Sequence, residues 1–266
     1  MGLPPSSRLP RVTRSLIAAI LVLPVAFSGC FGIGETEGGP GDWGREFLSD
    51  SDYTRLIVEI DHEQGAAPAD EALAGLRTNI ESFLRKPGGV EIRTPTSEVP
   101  NKGQGAKWSF AQIRSAEDSI RDETKDGKTA VLYIMYVNGG SSEDSDSGRV
   151  LGAAYSGSSI VMFKDNIRSV QNQCFNLLPL GCPSPGTIEK AVLIHELGHI
   201  LGLVNNGIPM VEPHEDPDHS HHSDNPDSVM YWKVDTGSVI DLIRGRGLPT
   251  EFDANDKADM RAAGGK

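Results

Sequence analysis

The chain has 266 residues, enough for one domain with a sizeable core or two small ones at most, and it reads as one. Its 38% hydrophobic and 23% charged residues are ordinary for a globular protein once the N-terminal stretch is set aside, and beyond that stretch no apolar run is long enough to span a bilayer. Residues 1–30 hold three of the 25 bases and none of the 37 acids, so the remainder carries 37 acids against 22 bases, a balance that argues against nucleic acid as a partner.

At the N-terminus, Arg8, Arg11 and Arg14 precede an apolar run from Leu16 to Phe27, followed by Ser28, Gly29 and Cys30. That is the order of a signal peptide, and the run is too short for a comfortable membrane-spanning helix. Phe27-Ser28-Gly29-Cys30 resembles the lipobox of prokaryotic lipoproteins, in which cleavage before the cysteine exposes it for acylation. The resemblance implies a lipoprotein signal peptide over 1–30, a lipid anchor on Cys30 and a place outside the cytoplasm at the cell membrane, on its periplasmic or cell-surface side. An ordinary cleaved signal peptide is the alternative. The glycine-rich stretch 31–44 is expected to be a flexible tether, with a single folded domain over 45–266. Once Cys30 is lipidated, Cys174 and Cys182 remain as an even pair across a short loop with Pro179 and Gly181. In an oxidising compartment such a pair is expected to form a disulfide, two free thiols being the alternative.

Arg55 to Asp61 is β-branched and apolar, as a buried strand requires. From Pro68 to Lys86 the apolar residues Ala72, Leu73, Leu76, Ile80, Phe83 and Leu84 fall at helical spacing, and Pro87-Gly88-Gly89 stops the helix. Val90 to Arg93 reads as a second strand, Ser109 to Thr124 as a second helix, and Thr129 to Val137 as the clearest strand in the chain. The acidic stretch Ser141 to Ser147 reads as a solvated loop, a calcium site being the lesser alternative. Short strands over Val150 to Tyr155 and Ser159 to Lys164 follow, then a long apolar helix from Ile188 to Val204 and a last helix from Phe252 to Ala263. The pattern is α+β, a mixed sheet covered by helices.

The helix over 188–204 is interrupted by His195, Glu196 and His199. Two histidines four apart share one helix face, since four steps of about 100° return to within roughly 40°. Both imidazoles reach one Zn2+ from that face, and Glu196 is placed as general base toward a water on the metal. Gly202 falls where a helix that must end abruptly turns on a glycine. His195-Glu196-Leu197-Gly198-His199-Ile200-Leu201-Gly202, followed later by Met230, resembles the metzincin clan of zinc peptidases, with its glycine turn and its methionine turn. The resemblance implies a twisted mixed sheet with covering helices, an active-site helix, Met230 as an apolar floor beneath the histidines, and hydrolysis of peptide bonds in a peptide or protein substrate. By the same analogy the substrate adds as an extended strand along an edge, Gly152 to Tyr155.

The clan's third ligand position is Asn205 here, a poor zinc ligand. Six of the seven histidines lie between 195 and 222, which leaves His214, His219, His221 and His222 to replace it. The spacing attributed to the archaemetzincin branch, counted back from Met230 through Ser228 and Ser223, selects His219, with His222 and His214 as alternatives. Serine at both of those positions also implies that the branch's additional cysteine-bound zinc is missing. The expected site is therefore His195, His199 and His219 on Zn2+ with Glu196 as catalytic base. Two other readings stay open: a non-catalytic lipoprotein that captures zinc with its His-rich loop, and a degenerate peptidase that acts as a binding module.

Overall fold

The computed structural model describes residues 1–2, 38–145 and 148–266. The apolar run and Cys30 lie outside the described residues. In chain order the elements are α1 (Gly44–Leu48), β1 (Arg55–Glu63), α2 (Asp70–Phe83), β2 (Val90–Ile92), β3 (Thr96–Val99), β4 (Lys107–Trp108), α3 (Phe110–Ile120) and β5 (Thr129–Val137). They continue with β6 (Gly140–Ser141), β7 (Gly152–Ser156), β8 (Ser159–Phe163), α4 (Lys164–Leu177), α5 (Pro185–Ile200), α6 (Val239–Gly245) and α7 (Ala254–Ala262).

The main sheet runs β2-β1-β5-β8-β7, with β3 pairing on the same edge of β1 as β2. All its pairings are parallel except β7 with β8, so the terminal strand β7 is the one antiparallel member of a mixed sheet. β5 is buried from Ala130 to Val137, which explains why it reads as a continuous apolar run rather than an alternating one. Its even residues, with Leu56, Val58 and Ile60 of β1, join the core beneath α2 and α5. Its odd residues Tyr133, Met135 and Val137 pack with Ile113 and Ala116 of α3 on the other face.

On that second face β1 carries carboxylates at alternate positions, and each is buried with partners. Glu59 accepts from the backbone N–H groups of Asp122 and Glu123, Asp61 from the hydroxyls of Thr96 and Tyr133, and Glu63 from the N–H groups of Lys102, Gly103 and Asn138. They fix loops, satisfying donors that burial would otherwise strand.

α5 begins at Ser184, whose Oγ accepts from Thr187 N at 3.0 Å, with Pro185 in the first turn where a missing N–H costs nothing. It is apolar nearly all round, and Ile188, Val192, Leu193, Ile194, Leu197 and Ile200 are all buried, as befits a helix packed between α2, α4 and the β7 end of the sheet. Each such side chain contributes about 1.5–3 kcal/mol. Glu189, buried in the same helix, is paired with Lys164 and also accepts from Ala69 N.

Three expectations change. α5 ends at Ile200 rather than Val204, because Gly202 takes φ +76° and Leu203 N closes back on Gly198 O. The tether expected through residue 44 is packed in its described part. Gly38 O accepts from Gly157 N, and Gly41 and Gly44 are buried against the turn after α5, where a Cβ would meet Asn206 O and Leu201 O. Asp144, expected in a solvated loop, accepts from Lys107 Nζ, Asn166 Nδ2 and Val150 N. α4, absent from the sequence-based outline, leads into the loop closed by Cys174 and Cys182, which are disulfide-bonded with Cα atoms 5.5 Å apart.

Candidate metal centre

His195 and His199 project from one face of α5 with their Nε2 atoms 3.0 Å apart. The third imidazole is that of His222. Its ring stacks on His195 with centroids 5.2 Å apart and meets His199 edge-on at 5.0 Å, so the three offer ligand nitrogens within 4.8 Å of one another. His195 Nδ1 donates to Val229 O at 2.7 Å, and His222 Nδ1 to Ser220 O at 2.9 Å. A carbonyl accepts but cannot donate, so each contact fixes the tautomer that leaves Nε2 with a free lone pair. Burial pushes the His195 imidazole down to about 4 against the opposing pull of the Val229 carbonyl. His199 is held well below the usual range by burial and then by its neighbours His195, His222 and His221, and His222 is lowered by burial first. All three are therefore neutral near pH 7.

Glu196 is 2% exposed. Its Oε2 accepts from Ala154 N, on the edge strand β7, at 2.8 Å. Its Oε1 is buried with no partner, as is His222 Nε2. Burial pushes the Glu196 carboxyl well above the usual range, the nearby Asp235 adds to the rise, and the Ala154 N–H opposes it. These features fit a divalent cation. His195 Nε2 and His199 Nε2, 3.0 Å apart, and the unpartnered His222 Nε2 are the donors such an ion uses, with Glu196 Oε1 left unpartnered beside them.

The turn over Ser228–Tyr231 packs against α5 beside this cluster, with Val229 O on His195 Nδ1. Met230 N donates to Ser228 Oγ and Tyr231 N to Ser228 O, and the Met230 side chain is fully buried against Gly198. A Cβ at Gly198 would stand 2.2 Å from Met230 Sδ. Gly198→Ala is accordingly expected to lower stability by about 1–3 kcal/mol through overpacking and to weaken metal binding by displacing the floor. Denaturant unfolding with and without zinc measures both.

His219, the expected third ligand, is not brought to the site. Its Nδ1 pairs with Asp216 Oδ2 at 3.0 Å, its side chain is 36% exposed, and its ring stacks on Trp232 with centroids 4.0 Å apart. His214 is buried elsewhere, 2.9 Å from Asp259 of α7. Asn205 lies on the surface with its amide toward Glu215, because Val204 and Asn205 both adopt left-handed backbone angles and turn the chain away from α5. Spacing along the chain selects His219 whereas the fold brings His222 to the other two imidazoles, because the segment folds back on itself. Ser223 N donates to Met230 O, Glu215 and Ser223 form a bridge, and Asp216 N reaches His222 O. His222 is thereby set beside the methionine turn, with His219 at the far tip. The sequence reading also missed Asp235, whose carboxylate lies 3.9 Å from His195 Nε2.

No family model matches the chain, and no curated protein matches it. Among solved structures it is similar to archaemetzincin from Methanopyrus kandleri, with a TM-score of 0.47 and 15% identity over 80% of this chain and 96% of that one. A zinc-dependent peptidase from Methanocorpusculum labreanum gives 0.42 and 14% over 77% and 98%, and metalloproteinase-II from Bacteroides fragilis gives 0.39 and 13% over 82% and 57%.

Proposed function

We propose that the chain is a zinc-dependent endopeptidase in which His195, His199 and His222 hold the metal and Glu196 is the general base. The observation that carries this reading is the convergence of three neutral imidazoles beside a buried carboxylate that has one oxygen free and the other on an edge strand. Zinc in such a site lowers the pKa of a water toward neutrality and polarises a carbonyl oxygen. Glu196 Oε1 takes a proton from the attacking water and passes it to the nitrogen of the leaving amine. A nearby cation favours the ionised carboxylate, offsetting the burial that disfavours it. His195 is held by Val229 O and His222 by Ser220 O, so the imidazoles keep their orientation through the reaction. The substrate is an extended peptide laid along β7, where backbone pairing supplies affinity independent of side-chain identity.

Chelation should abolish cleavage of an unfolded polypeptide and added zinc should restore it. Stoichiometric zinc without cleavage would instead favour a non-catalytic zinc-binding protein, and an absence of zinc would remove the metal reading altogether. We also place the protein at the cell membrane by a lipid on Cys30, on the sequence pattern alone. Cys30→Ala should shift it from the membrane fraction to the soluble fraction or block its maturation. Unchanged, detergent-requiring association would contradict the anchor.

A further inference from the structure

A second cluster of metal-binding groups lies at the start of α7 and shares no residue with the three imidazoles of the α5 centre. His214 reaches it from the loop after α5, where its carbonyl accepts from Asp224 N. On one side of the ring Nε2 lies 2.9 Å from Asp259 Oδ2, and the other Asp259 oxygen is held by Val211 N at 2.6 Å. With its Nε2–H given to Asp259, the imidazole keeps a lone pair on Nδ1. A carboxylate orients a metal-bound histidine from behind in the same way.

His214 Nδ1 has no hydrogen-bond partner, and neither does Asp256 Oδ1, the atom it faces at 3.9 Å. Both belong to buried side chains, His214 being 1% exposed and Asp256 0%. A plain histidine–aspartate pair would close to hydrogen-bond distance, as His214 does with Asp259 on its other side. The gap is instead shorter than twice the roughly 2.0–2.2 Å at which zinc binds an imidazole nitrogen or a carboxylate oxygen, so one ion reaches both. Asp253 offers a third donor, since ligand atoms of His214, Asp253 and Asp256 all lie within 4.8 Å of one another. Its Oδ1 caps α7 by accepting from Asn255 N and Asp256 N, whereas Oδ2 accepts once, from Asn225 Nδ2, and has a lone pair to spare.

We propose that His214, Asp253 and Asp256 form a second divalent-cation site, of zinc type, that ties the loop after α5 to the start of α7. The imidazole favours a first-row cation such as Zn2+ over Ca2+ or Mg2+, which take oxygen ligands. The ion's role is structural. Asp256 Oδ2 accepts from Ser228 Oγ at 2.6 Å, and Ser228 Oγ accepts from Met230 N at 2.9 Å. An ion on Asp256 Oδ1 therefore steadies the same turn that sets Val229 O against His195.

The test counts zinc on the full chain by elemental analysis, after the metal-free protein has been loaded and dialysed. Wild type should hold about two ions per chain, His214→Ala about one, and the double variant His195→Ala, His199→Ala about one, which is the ion proposed here. In that double variant, free zinc about a hundredfold above Kd should raise the melting temperature by roughly 5–10 °C, and adding Asp256→Asn should abolish the rise. If His214→Ala does not fold without metal, the double variant carries the test, because its site at α7 is intact. A double variant that takes up no zinc, or a folded His214→Ala that still holds about two ions, overturns the proposal. A single ion in wild type that His222→Ala removes upholds the α5 centre and overturns this site. A single ion that His222→Ala keeps and His214→Ala loses upholds this site and removes the α5 centre instead.

Discussion

His222→Ala should strip the metal and abolish peptide cleavage, whereas His219→Ala should leave both nearly intact. A catalytic zinc is held by three protein ligands, and two imidazoles from a single helix do not replace the third. Loss of a ligand should exceed the roughly 10–100-fold loss of affinity typical of an outer partner. His219 contributes a stacked contact with Trp232 and a partly exposed pair with Asp216, so its removal costs local packing at the loop tip and little else. Zinc content after dialysis and cleavage of an unfolded polypeptide, measured on both variants, decide between the two. Equal loss in both would mean that the loop, rather than one imidazole, is what the site needs.

Glu196→Gln is the second large effect. The amide keeps the shape of the side chain and can still accept from Ala154 N, but it cannot take a proton from water. Cleavage should fall by about 10²–10⁴-fold, the usual contribution of a general base, while zinc content stays at the wild-type level. Stability should not fall, since the substitution removes a carboxylate whose burial is unfavourable and whose Oε1 is unpartnered. Zinc lost together with activity would make Glu196 a structural support of the site.

The sequence showed what depends on local pattern. β5 and α2 were readable from apolar runs and helical spacing, and the last helix, α7, starts where Asp253 caps it through the N–H groups of Asn255 and Asp256. His195, Glu196 and His199 were readable for the same reason, since one helix fixes their relation. α4 escaped because its apolar residues are few and its sequence is largely polar, so its burial of Ile167, Val170 and Cys174 shows only in the fold. His222 stood only as an alternative to His219, and Asp235 was not singled out, because each is placed by backbone pairing to a distant segment, His222 through Ser223 and Met230, Asp235 through Leu151. No periodicity reports such pairings. His221, with φ +65°, marks the kink that separates the outward imidazoles from the inward one, and a histidine gives no warning of it in sequence.

The proposed centre requires three imidazoles to meet at one ion. Anomalous scattering at the zinc edge from crystals of the zinc-loaded protein tests this most directly. One strong peak is expected about 2.0–2.1 Å from the Nε2 atoms of His195, His199 and His222. A peak ligated by His219 in place of His222, a peak confined to His214 and its aspartates, or no peak at α5 would contradict the account.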